Sequence, residues 1–479
     1  MQKNKFKIQS LLPRSKFLQS ITILAGGNAV GQIAMFLVAP ILTRIYSPEE
    51  FGVVAIYMSL AGIIGVVVCG RYEFAIALPK QIEEAVSITR LAATCCVVVS
   101  TISLIACLKF RNEIASLFNI PTSGFVFLFL PLSILLIGFF KILSMWCIRS
   151  DNFLLLSKIR IRQVVASIVV QLSAFSLGAM GLISGQLANQ SYGFLTLFKS
   201  YRISSKQYKW CWRSCAKMAS THRRLPLIST WSSLASKTGS QLPALLFAAL
   251  FNPAVAGFYA LAMRVVATPS SIIGGSIQKV FLSKAAKAYR DEQLPNLFRN
   301  AFEKSISLVA PLVVLFSLAL PNIFLTIFGE EWRTAAQFSQ FLLLILFCRI
   351  TISPLMIIYT VLGKQKSELQ LHLLQSVLRL TAIIIGYKLN SPSLAVLFFC
   401  LATLASYTIF MFWAYKVLRI PCMQLLRALT NALISIGIVC GPILFSVLTN
   451  QQGWFIFSAA VCSAGLFVAH SYLILRKYF

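Results

Sequence analysis

The sequence predicts an all-α integral membrane protein of about 14 transmembrane helices, arranged as two six-helix bundles with an internal repeat plus two extra C-terminal helices. Three observations lead there. The first is composition: of 479 residues, 58% are apolar and 12% are charged, about half the charge of an ordinary soluble domain. Mean hydropathy is +0.80. That composition excludes a soluble enzyme, a disordered chain and a disulfide-rich secreted domain. The second is a series of long apolar windows. The third is a motif that recurs in the two halves.

A spanning helix needs about 20 mostly apolar residues. Windows 17–43, 51–70, 114–140, 305–329 and 389–415 meet this length, and 163–198 and 428–475 are long enough for hairpins. The first hairpin breaks at Gly178–Gly181 and the second near Thr449–Gly453. In the first half, predicted spans are 20–41, 52–71, 87–108, 123–144, 163–179 and 182–198. In the second half they are 229–250, 257–279, 305–328, 335–362, 369–388 and 392–415. The extra pair is 427–448 and 453–475. The corresponding domains are an N-terminal bundle over 1–227, a C-terminal bundle over 228–426, and the pair over 427–479.

Charge sets the orientation. With the N-terminus inside, Lys and Arg divide as 34 in inner segments and 5 in outer loops. This bias is the signature of cytoplasmic loops, and an even number of spans puts both termini in the cytoplasm. The net charge of +30 is thereby explained by topology, and nucleic acid is not an expected partner. No cleavable signal peptide is expected, because the first apolar stretch is long enough to span. The 12 cysteines show no metal-ligand spacing, and none falls in a predicted outer loop, so neither a metal site nor a disulfide is expected.

The repeat is short. Tyr46-Ser47-Pro48-Glu49-Glu50-Phe51-Gly52 and Phe251-Asn252-Pro253-Ala254-Val255-Ala256-Gly257 both fit aromatic-[Ser/Asn]-Pro-x-x-x-Gly, at an offset of 205 residues. Ser or Asn followed by Pro suits the start of a helix. Both copies fall in the loop after the first span of their half. Six spans per half in the same orientation form a parallel repeat, the plan of a transporter built around a central path.

Polar residues within spans mark the candidate site. Asn28 and Gln32 share one helix face; the repeat offset carries them to Ser233 and Lys237. Gln241 continues that stripe. Gln163, Ser167 and Gln171 form another; these types serve interhelical hydrogen bonding as readily as a cavity. Basic residues are more telling. Lys237, Arg264, Arg349 and Arg379 lie within predicted spans, and no acid lies within a predicted helix interior. Intramembrane cations without acids imply a hydrated cavity or an anionic ligand. His372 is a candidate proton carrier. Arg71 and Glu73, at an inner helix end, read as an interfacial ion network.

The stretches Pro40-Ile41-Leu42-Thr43-Arg44-Ile45-Tyr46-Ser47-Pro48-Glu49-Glu50-Phe51-Gly52, Arg71-Tyr72-Glu73-Phe74-Ala75-Ile76-Ala77-Leu78-Pro79-Lys80 and Phe328-Gly329-Glu330-Glu331-Trp332 resemble the polysaccharide flippases of the multidrug, oligosaccharidyl-lipid and polysaccharide exporter superfamily. The resemblance implies a non-enzymatic transporter of the bacterial inner membrane. Its substrate would be an undecaprenyl-pyrophosphate-linked oligosaccharide, flipped to the outer leaflet by alternating access for O-antigen, capsule or exopolysaccharide synthesis. It further implies no cofactor, an ion or proton gradient as energy source, and a polysaccharide polymerase and chain-length machinery as partners. Alternatives are a lipid II flippase, a multidrug exporter of the same superfamily, and a membrane glycan polymerase or ligase. The exporter would be expected to carry buried carboxylates, and the polymerase a large outer loop.

Overall fold

The computed structural model describes residues 16–120, 124–205 and 212–448, with part of 462–471. Among the described residues the chain is helical without strands, as the sequence predicts. Among the described residues, eight helices are long and apolar enough to cross a membrane. Many apolar side chains point outward, including Val98, Ile102 and Ile105 on one helix. Such a surface suits lipid contact. The predicted span 453–475 falls largely outside the described residues.

Contacts gather into two compact units, 1–260 and 261–479. The repeat-based boundary at 227 is a different partition, one of sequence similarity. In the first unit, α1 is Lys16–Ile45, α2 Pro48–Val67, α3 Ile82–Leu117, α4 Leu130–Arg149, α5 Phe153–Ser173, α6 Ala179–Ser205 and α7 Thr230–Leu250. It also holds the start of α8, Pro253–Arg290. Within it α5 pairs with α6, α1 lies on α5, α3 lies on α4, and α2 packs against α7. The stripe Gln163, Ser167 and Gln171 is buried and serves the α5–α6 interface. Gln163 Nε2 donates to Asn189 O at 3.0 Å and Gln171 Nε2 to Leu182 O at 3.4 Å. Gly185 and Gly193 leave room for the two glutamines. This is the small-plus-polar pattern of membrane helix packing.

The second unit carries the rest of α8, then α9 Leu294–Phe328, α10 Arg333–Thr351, α11 Gln365–Lys388, α12 Pro392–Val417 and α13 Cys422–Leu448. Here α11 pairs with α12, α9 with α13 and with α10, and α10 with α12.

Helix starts follow the local chemistry. Ser47 caps α2 in a full capping box: its hydroxyl accepts from Glu50 N at 3.3 Å, and the Glu50 carboxylate accepts from Ser47 N at 2.8 Å. Asn252 caps α8 in the same position, accepting from Val255 N at 2.9 Å. Asn152 caps α5 by accepting from Leu155 N. Helix α5 thus starts ten residues before the predicted span, and carries Lys158, Arg160 and Arg162 on this N-terminal extension rather than in a loop. It ends before Gly178, whose φ of +57° favours glycine.

The predicted helix 335–362 is also altered. It breaks after Thr351, continues as a 3-10 turn over Ser353–Ile357, and ends in a short helix Ile358–Val361. Pro354 lacks an N–H and crowds the preceding turn, so the α-helical ladder cannot run through it.

Candidate functional site

In the first unit, α7 presents Lys237 and Gln241 to α2 at Gly62. A methyl group on Gly62 would lie 3.0 Å from Gln241 Nε2 and 3.1 Å from Lys237 Cε. Glycine therefore permits the lysine stem to lie along α2. One turn before it, Ser233 is half-buried. Also one turn along α2, the Lys141 ammonium of α4 donates to the Gly65 carbonyl. Lys141 and Lys237 are close enough to repel each other.

Glu73 is the opposing charge. It sits in the 3-10 turn Tyr72–Ala77 after α2 and is only 2% exposed. Its Oε2 has no hydrogen-bond partner among the described residues. Burial pushes the Glu73 carboxyl up from the ordinary carboxylate range; a backbone hydrogen bond, Lys141 and Arg71 pull it back. Arg71 holds φ at +62° and lays its guanidinium over the Phe74 ring at 4.4 Å. Among the described residues no ion pair joins Arg71 to Glu73. Glu73 is thus a buried carboxylate near two cations, Lys141 and Arg71, without a direct ion pair to Arg71.

In the second unit, the break after α10 opens a cavity of about 360 Å³. Ser270, Gly274 and Gln278 of α8 line it, with Arg349, Ser353 and Tyr407. Gly274 lets α8 approach α10: a methyl there would lie 2.9 Å from the Arg349 carbonyl. No acid is among the lining residues. A half-buried guanidinium beside hydroxyl and amide groups can bind an anionic oxygen through its planar fork.

The remaining sequence candidates are placed differently. Arg379 donates from Nε to Thr403 Oγ1 at 2.9 Å and lies over the Phe399 ring at 5.4 Å. It tethers α11 to α12 and is not among the cavity-lining residues. Arg264 sits on α8 with interactions of its own. Gln32 is exposed and also engaged. His372 is exposed on α11. The Asn28 side chain lies outside the described residues.

Sequence reasoning missed Lys141, Gln278 and Tyr407, and placed Glu73 at the interface rather than in the interior. Lys141 lies three residues from the end of a predicted span and reads as loop charge. Glu73 reads as interfacial for the same reason. Tyr407 reads along the chain as one more aromatic of an apolar span, and its place beside the cavity appears only when α12 is folded against the α10 break.

A family model described as polysaccharide biosynthesis protein matches residues 41–337. The chain belongs to this family. No curated protein matches the sequence significantly. The fold of this polysaccharide biosynthesis family member is similar to that of lipid II flippase MurJ in an inward closed conformation. That match has a TM-score of 0.72 at 14% identity, covering 96% of this chain and 99% of the other. It is also similar to an inward-facing multidrug resistance MATE family transporter of the MOP superfamily. There the TM-score is 0.62 at 13% identity, over 83% of this chain and 94% of that one. At such identity the likeness establishes the fold alone: a multi-pass, all-α membrane fold. The superfamily resemblance drawn from the Tyr46–Gly52 and Arg71–Lys80 stretches agrees with these matches.

Proposed function

We propose that this polysaccharide biosynthesis protein flips an undecaprenyl-pyrophosphate-linked oligosaccharide from the inner to the outer leaflet of the bacterial inner membrane. The polymer supplied is O-antigen, capsule or exopolysaccharide. The observation that carries this reading is the acid-free cavity around Arg349. A glycan and its pyrophosphate cannot enter hydrocarbon, whereas a polyprenyl tail can remain in lipid. Serine, glutamine and tyrosine suit sugar hydroxyls, and the arginine fork suits a pyrophosphate oxygen. Lys237 and Gln241 add a second cationic, amide-bearing surface in the first unit. Hydration keeps the attraction weak enough for release. The protein acts by alternating access, without a cofactor, and draws on an ion or proton gradient. Both termini face the cytoplasm, and a polymerase with its chain-length machinery takes the product.

A second reading, a lipid II flippase, is favoured by the MurJ-like fold over 96% of the chain. Its substrate carries the same pyrophosphate. A multidrug exporter for cations, which would carry buried carboxylates, is disfavoured at the acid-free Arg349 cavity, although Glu73 is one buried carboxylate in the first unit. Deleting the gene and identifying the glycan that accumulates on the lipid carrier separates these readings. Accumulated polymer repeat units with loss of surface polysaccharide support the proposal. Accumulated lipid II would replace it with the second reading. Unchanged glycans with altered drug sensitivity would point to the exporter.

A further inference from the structure

The segment between α6 and α7 carries a feature that head-group flipping does not use. A short helix, Trp212–Thr221, lies against α3. Its inner face is fixed: Cys215 and Met218 are buried. The Ser87 and Ser214 hydroxyls meet at 2.9 Å, and Cys215 Sγ donates to Ser87 O at 3.5 Å. The opposite face is free. Arg213 and Lys217, one helical turn apart, are exposed, as are Arg223 and Arg224 just beyond.

Trp212 is 61% exposed at one end of the segment, and Trp231, in the first turn of α7, is 67% exposed at the other. Leu227 is exposed between them. Residues 212–231 contain no acid. Glu83 and Glu84 start α3 one turn from Ser87, yet among the described residues no ion pair links them to this patch. Tryptophan side chains favour the headgroup level of a bilayer, and clustered cations beside a membrane helix attract anionic lipids.

We propose that Trp212–Trp231 is a binding surface for anionic phospholipid headgroups of the inner leaflet. Arg213, Lys217, Arg223 and Arg224 hold the phosphodiesters, and Trp212 and Trp231 set the depth. The proposal takes its sidedness from the 34-to-5 division of basic residues and is independent of which glycan is carried. An inner-loop cation serves topology wherever it stands; the exposed tryptophans and the docked inner face make this patch a structured surface.

The test uses the full-length protein in nanodiscs of phosphatidylcholine with or without phosphatidylglycerol. Lipid retained around the protein is measured by native mass spectrometry and by titration of fluorescent phosphatidylglycerol. Wild type should retain phosphatidylglycerol selectively, and the retention should weaken with salt. R213Q/K217Q/R223Q/R224Q should weaken it by up to about 600-fold, since each basic residue near an anionic surface contributes about fivefold. K364Q/K366Q/R419Q, which removes other inner-loop cations, should leave it within about twofold, and W212A/W231A should weaken it at unchanged charge. Equal losses from both charge variants would overturn the proposal, as would indifference of the wild type to headgroup charge. Loss of undecaprenyl phosphate binding in the R213Q/K217Q/R223Q/R224Q protein would assign the patch to the carrier lipid and overturn it too.

Discussion

Gly52 and Gly257 meet across the two copies of the repeat motif, each set against the backbone of the proline that opens the other's helix. A methyl on Gly52 would lie 1.8 Å from Pro253 O, and one on Gly257 would lie 2.0 Å from Pro48 O. The contact is reciprocal, as in an isologous interface. The motif thus encodes more than a turn: Ser47 and Asn252 cap their helices, the prolines start them, and the glycines let two helix starts touch.

Gly52→Ala and Gly257→Ala should therefore each destabilise the protein, by about 1–3 kcal/mol or more, the range for overpacking a tight contact. Gly437→Ala, on α13 with open space around it, should be neutral or slightly stabilising through helix propensity. Thermal unfolding of the purified protein in one detergent checks all three. Equal midpoints for Gly52→Ala and Gly437→Ala would refute the packing argument.

Gly62 makes a functional counterpart. Gly62→Ala presses on Gln241 Nε2 and the Lys237 stem, both flexible side-chain groups. The fold should survive while the ammonium is displaced. Surface polysaccharide should fall several-fold at normal abundance, as it should in Lys237→Ala. Full polymer output in both variants would remove this surface from the transport path.

Arg349 and Arg379 should separate. Arg349→Ala removes the cavity's cation and should abolish polysaccharide export with little change in melting temperature; Arg349→Lys should restore part of it. Arg379→Ala breaks the bond to Thr403 and should cost about 1.5–3 kcal/mol of stability, the scale of a charge-assisted hydrogen bond. Export should then track the protein that remains folded. Measuring abundance, melting temperature and polymer together distinguishes the two.

Glu73 predicts a pH dependence. Its folded carboxyl is raised, chiefly by burial, so the folded state holds the proton to higher pH than the unfolded one. Stability from this group is fully present below the ordinary carboxylate pKa and is lost as pH rises through the raised value. Glu73→Gln should flatten the melting temperature over that window. A wild-type protein whose melting temperature rises with pH across it, to the same degree as Glu73→Gln, would contradict the assignment.

The sequence by itself determined the architecture, because lipid requires long apolar helices and loop charge reports sidedness. It also located the motif at Tyr46–Gly52 and Phe251–Gly257, and it marked Lys237 and Arg349 as cations out of place in hydrocarbon. What it could not supply was who faces whom. Arg349 and Arg379 read alike along the chain; only the break at Pro354 and the packing of α11 on α12 set one beside a cavity and the other on Thr403. Glu73 looks interfacial until the turn after α2 folds it under α3 and α4. Apolar periodicity records a residue's depth and helix face, whereas partners are chosen by helix-to-helix packing at single glycines such as Gly52, Gly62 and Gly274, and that choice belongs to the tertiary structure.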